Sequence, residues 1–143
     1  KHIHITNKIR IIKDMDWYIV QYLYPNAFKR FTDIMFPNVG VISLSTLEYY
    51  DVKKLFQFFD KEGVYLNVEM YNPHQWVCSI SLHNGIVFGP SQSSKTTRNE
   101  IELDGFLECF KVLDKKIIDV VNKIAPEHLE LNVKNYNFFV PKR

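Results

Sequence analysis

Residues 64–88 decide the fold of this chain, and they read VYLNVEMYNPHQWVCSISLHNGIVF. Two stretches alternate apolar and polar side chains, which is typical of strands with one buried face. The apolar positions are Val64, Leu66, Val68 and Met70 in the first stretch, and Trp76, Cys78, Ile80 and Leu82 in the second. Asn72-Pro73 ends the first strand, and Asn84-Gly85 is typical of a tight hairpin turn. With a short strand at 86–88, the pattern predicts a three-strand antiparallel meander.

A long amphipathic helix is predicted directly after the meander, over 98–124. Thr97 and Glu100 have the spacing of a capping box. Apolar residues then recur every three or four positions, with acids mainly in the first half and lysines in the second, as the helix dipole favours. Pro126 ends the pattern. Such a helix would be about 40 Å long, so its far end is expected to extend beyond a sheet of ordinary strands.

Two shorter helices are predicted near the N-terminus. Asp14 or Asp16 has the right position to cap a helix over 17–23, and Asn26 to cap a second helix over 27–34.

Ser45 and Glu48 form a possible capping box for a further helix over 46–62. Gly63 follows where a helix of this kind commonly ends. In the long helix, Gly105 costs about 1 kcal/mol relative to alanine. We therefore expect a neighbouring strand to pack closely against that position.

Terminal strands are expected from alternating apolar residues at 3–11 and 129–133. The chain is therefore predicted to be a single α+β domain, residues 1–143. Its mainly antiparallel sheet (the meander 64–88 plus the terminal strands) packs against helices at about 46–62 and 98–124.

The composition is that of an ordinary globular chain of 143 residues, with 46% hydrophobic and 24% charged residues and a net charge of +2. The uncharged runs at 17–28 and 35–47 are too short to span a bilayer, so we expect no membrane association and a cytoplasmic location. Cys78 and Cys109 are expected to be reduced core thiols.

No pattern assigns a catalytic, cofactor-binding or metal-binding residue. Residues 89–96 resemble a phosphate-binding P-loop, but Ser94 replaces the second glycine and the preceding strand belongs to an antiparallel hairpin. The histidines are scattered rather than paired as in zinc sites, and no G-x-S-x-G motif is present. An enzyme of unrecognised type stays open as an alternative.

The predicted order α-β-β-β-α is similar to that of a double-stranded-RNA-binding domain. The local resemblance lies in His74, Trp76, Asn84-Gly85, Gly89 and Ser94-Lys95. It implies phosphate contacts from basic residues near the start of the last helix. The candidates are Lys95 and Arg98, together with Lys8, Arg10 and Lys13. The sequence departs from the pattern where acidic residues follow Arg98, because acids repel the phosphate backbone.

The function predicted first is a small non-enzymatic accessory or interaction protein that binds a protein partner or itself. The high aromatic content, 15%, favours this interpretation, since aromatic residues are enriched at interfaces. The expected contacts are Tyr65 and the far end of the long helix, namely Ile117, Val121 and Ile124. Nucleic-acid binding is the main alternative.

Overall fold

A computed structural model describes residues 9–90, 95 and 97–123, which form four α-helices and three strands. The elements in chain order are α1 (Trp17–Leu23), α2 (Pro25–Met35), a 3₁₀ turn (Leu44–Leu47), α3 (Val52–Lys61), β1 (Tyr65–Asn72), β2 (Gln75–Leu82), β3 (Gly85–Phe88) and α4 (Arg98–Asn122). The predicted α+β class is confirmed.

The sheet is the predicted meander, with strand order β1-β2-β3 and antiparallel pairing throughout. Leu66 lies opposite Ile80, and Val68 lies opposite Cys78. Since directly opposed residues point to the same side of a sheet, the two predicted apolar faces form one surface. Ile80 and Cys78 are buried on that surface, where α4 packs.

Gly105 of α4 lies against this surface. A Cβ atom at this position would lie 2.8 Å from Cδ1 of Leu66 and 3.5 Å from the Cys78 sulfur. The close strand packing expected at Gly105 is therefore confirmed.

An aromatic cluster forms the centre of the core between the helices. Its members come from α1, α2, α3 and α4: Trp17, Phe28, Phe31, Phe58, Phe59, Phe106 and Phe110. The Phe110 ring lies 4.9 Å from Phe59 and 5.6 Å from Phe31, both edge to face. Such pairs contribute about 0.5–1.5 kcal/mol beyond the burial of their area, so α4 is held by rings on both α2 and α3.

The predicted helix over 46–62 is shorter than expected, because α3 begins only at Val52. Asp51, not Ser45, is its N-cap, and the Asp51 carboxylate accepts a hydrogen bond from Lys53 N at 2.9 Å. Backbone bonds from Val52 N to Arg10 O and from Ile12 N to Tyr50 O hold the preceding residues in extended pairing. This long-range pairing excludes a helix that starts earlier.

Helix α2 begins at Pro25 rather than at residue 27, and Asn26 is not its cap. Asp114 of α4 takes that role, because one oxygen of its carboxylate accepts hydrogen bonds from Asn26 N at 2.8 Å and Ala27 N at 2.9 Å. Burial raises the pKa of Asp114, and the two backbone bonds partly offset the rise.

The other predicted boundaries agree closely with the structure. Asp16 caps α1, Thr97 and Glu100 form the capping box of α4, and Gly63 ends α3 with a positive φ of 76°. The terminal strand at 129–133 lies outside the described residues. Of the strand predicted at 3–11, residues 3–8 also lie outside the described residues, and Ile11 makes an isolated bridge to Asp51 without joining the sheet.

Candidate docking surface

Contacts on its buried side hold helix α1 in position against the core. The carboxylate of Asp16 accepts a hydrogen bond from Ile19 N at 3.2 Å and so starts the helix. Trp17 and Val20 then face the core. The indole N–H of Trp17 donates to the carbonyl of Leu47 at 3.0 Å, which ties α1 to the 3₁₀ turn. One side of this short helix is therefore fixed.

The other side of α1 is exposed and apolar. The exposed fractions are 74% for Tyr18, 45% for Ile19, 83% for Tyr22 and 51% for Leu23. Tyr18 and Tyr22, like Ile19 and Leu23, are four residues apart and therefore neighbours on the helix surface. We refer to these four side chains as the α1 outer face. Four of the seven residues of α1 thus present large apolar groups to solvent.

An open cavity of about 410 Å³ adjoins the α1 outer face. Its lining comes from the start of α1 and from the 3₁₀ turn: Met15, Asp16, Trp17, Tyr18, Leu44, Ser45 and Glu48. It combines two aromatic side chains with the carboxylates of Asp16 and Glu48. We find no arrangement of nucleophile and base in this lining.

The predicted protein contacts are distributed between surface and core. Tyr65 is exposed, at 43%, on the sheet. Ile117 and Val121 are buried in the core, and Asp114 in the same half of α4 contacts the start of α2. Ile124 lies outside the described residues. Sequence reasoning missed the exposed apolar side of α1. The one available signal was that residues 17–23 contain no charged residue.

Three of the five predicted basic residues come together near the start of α4. Arg10 and Arg98 both pair with the fully buried carboxylate of Glu102, with contacts of 2.7 Å and 3.2 Å respectively. Lys95 lies 3.6 Å from Asp104. Hydrogen bonding to Glu102 raises the pKa of Arg10. Each basic group here thus has an acidic partner.

The remaining basic candidates are not part of this cluster. Lys13 is exposed beside Asp14, and Lys8 lies outside the described residues. The guanidinium of Arg98 also lies 5.8 Å from the centre of the Trp76 ring, a cation–π distance. Arg98 is therefore held by Glu102 and by Trp76 at once.

The two cysteines are free and buried, as predicted. Burial raises the pKa of Cys78 to about 11 and raises that of Cys109 well above its ordinary value. Since the thiolate is the reactive form, neither side chain has the features of a nucleophile.

Neither a metal site nor a membrane-spanning helix emerges from residues 9–90, 95 and 97–123. Within these ranges, His, Cys, Asp and Glu do not gather in groups of three that could hold an ion. None of the helices described there combines the length and apolarity needed to cross a bilayer.

No protein-family model and no solved structure match this chain. The chain is similar over a short stretch to histidinol dehydrogenase of Pelagibacter ubique (strain HTCC1062), with 72% identity over 29 residues. That stretch is 20% of this chain, and it spans only 7% of the enzyme's length. A similarity of this extent shows a shared segment and does not show a family.

Proposed function

We propose that this chain is an interaction protein that binds another protein through the α1 outer face. One observation carries the proposal: four large apolar side chains of a well-anchored helix are exposed side by side. Scattered exposed apolar residues are ordinary, but contiguous patches mark interaction sites in soluble proteins. Tyrosine in particular is enriched at interfaces.

The anchoring of α1 makes its outer face suitable for binding. Trp17 stacks on Phe31 at 5.5 Å and meets Phe110 edge to face at 5.8 Å. A partner would therefore meet a surface held in place from behind, and little order would have to be gained on binding.

The nucleic-acid alternative receives less support from the contacts. Arg10, Arg98 and Lys95 face carboxylates at short distances. A phosphate backbone would have to displace these partners, and the displaced Glu102 would be left buried and unpaired, which is costly.

The test is co-purification from extracts of the source cells with three forms of the chain. Tyr18→Ser with Tyr22→Ser removes the two rings of the face, and Tyr65→Ser with Tyr71→Ser is the matched control on the sheet. Tyr71 suits this purpose because its exposure, 73%, is close to that of Tyr18. Bound proteins are quantified by mass spectrometry.

We expect one protein to be enriched with the wild type and the control and lost with the α1 variant. Loss with the control alone would place the interface on the sheet instead, as Tyr65 suggested from sequence. Equal enrichment with all three forms would remove the basis of the proposal. Light scattering over a range of concentrations shows whether the partner is a second copy.

A further inference from the structure

The cavity beside the α1 outer face is lined by acidic side chains and by no basic one. Residues 14–28 and 35–52, which include α1 and the 3₁₀ turn, contain four acids and no lysine or arginine. The whole chain, by contrast, has a net charge of +2. The carboxylates of Asp14, Asp16 and Glu48 are exposed here, and two of them line the cavity beside Tyr18.

Two of the basic residues next in sequence have acidic partners of their own. Lys29 pairs with Asp33 at 3.0 Å, and Arg30 pairs with Glu62 at 2.7 Å. Lys13, directly before Asp14, and Lys53 and Lys54, directly after Val52, are exposed bases that adjoin these segments. None of these bases lines the cavity, whose charged side chains are those of Asp16 and Glu48.

A two-fold dimer through this face would be electrostatically unfavourable. In such an interface each copy presents the same patch to the other. A second copy would then bring to the cavity a patch whose own lining holds carboxylates and no base, and like charges brought together at an interface oppose association. The charge pattern thus argues for a partner of different surface chemistry.

We infer that the α1 outer face and the acidic cavity beside it receive a basic amphipathic segment of a partner protein. Apolar side chains of the segment would cover Tyr22 and Leu23. A lysine or arginine would enter the cavity between Asp16 and Glu48, next to the rings of Trp17 and Tyr18. Aromatic faces attract such cations in addition to the carboxylates. The inference rests on the proposed function and specifies the chemistry of the partner.

The probe is a labelled synthetic helix of leucine and lysine, about four turns long, compared with the same helix in which glutamate replaces lysine. Asp14→Asn with Glu48→Gln removes two charges without removing a helix cap. Asparagine also tolerates the positive φ of 64° at position 14. Affinity is measured by fluorescence anisotropy.

We expect only the lysine helix to bind the wild type, and added salt to weaken it. The charge variant should bind roughly three- to tenfold more weakly, the effect of losing two exposed pairs. Tyr18→Ser with Tyr22→Ser should abolish binding, while Tyr71→Ser leaves it unchanged.

Equal binding of both helices, or no effect of the charge variant, would overturn the inference. Failure of both helices would overturn it too. In each case, loss of the co-purified partner with the α1 variant would leave the proposed function standing. A second copy identified as the bound chain would also overturn the inference.

Discussion

The two sides of α1 differ in what their aromatic residues do. Trp17, on the inner side, is buried against three phenylalanine rings. Tyr18 and Tyr22, on the outer side, are mostly exposed although they belong to the same short helix. Because Trp17 is buried, the inner side of α1 stabilises the fold. The outer side contributes little to folding in this conformation, so its apolar character is better explained by binding.

The largest effect should appear when a core ring that packs against the inner side of α1 is removed. Phe110→Ala deletes a fully buried side chain, and such deletions cost about 3–5 kcal/mol. Tyr22→Ser should change the free energy of unfolding by no more than about 0.5 kcal/mol. Urea denaturation measures both. A cost for Tyr22→Ser similar to that for Phe110→Ala would show that the outer face serves folding.

An intermediate effect is expected at the polar contact between Asp114 of α4 and the start of α2. Asp114→Ala leaves two buried N–H groups at the start of α2 unpaired and should cost about 1–3 kcal/mol. Asp114→Asn keeps an acceptor oxygen and should cost less. If the two variants were equally unstable, the hydrogen bonds to Asn26 N and Ala27 N would not be the source of the effect.

The raised pKa of Asp114 also predicts that stability depends on pH. Because folding raises the pKa of Asp114, the folded chain binds the proton more tightly than the unfolded chain. This residue therefore lowers stability as the pH rises from the unfolded pKa through the folded one. The difference in unfolding free energy between Asp114→Asn and wild type should therefore shift in favour of the variant as the pH rises from about 4, the ordinary pKa of aspartate, through the folded pKa. Urea denaturation at several pH values measures this shift, and a shift in the opposite direction would contradict the sign.

A smaller effect is expected at Gly105. Alanine favours a helix by about 1 kcal/mol over glycine, but its Cβ would overlap the Leu66 side chain. Overlap of this kind costs about 1–3 kcal/mol, so Gly105→Ala should be destabilising by roughly 1 kcal/mol. In a Leu66→Ala background the same change should become stabilising. Additive effects of the two substitutions in a double-mutant cycle would contradict this packing.

Local patterns were sufficient to predict the meander, the α4 capping box and the turn at Gly63. The start of α3 could not be predicted in this way, because it depends on pairing with residues 10–12. The cap of α2 could not be predicted from local sequence either, because Asp114 lies 88 residues from Asn26. Helix periodicity showed that Ile117 is apolar, but not that this part of α4 would be buried in the core.

The central claim is that the outer side of α1, and not the sheet, meets a partner. Site-specific photo-crosslinking tests it directly, with a photoreactive residue at position 22 in one form of the chain and at position 71 in another, both expressed in the source cells. The account predicts a reproducible adduct with one partner protein at position 22 and none at position 71. An adduct at position 71 alone, or at neither position, would contradict it.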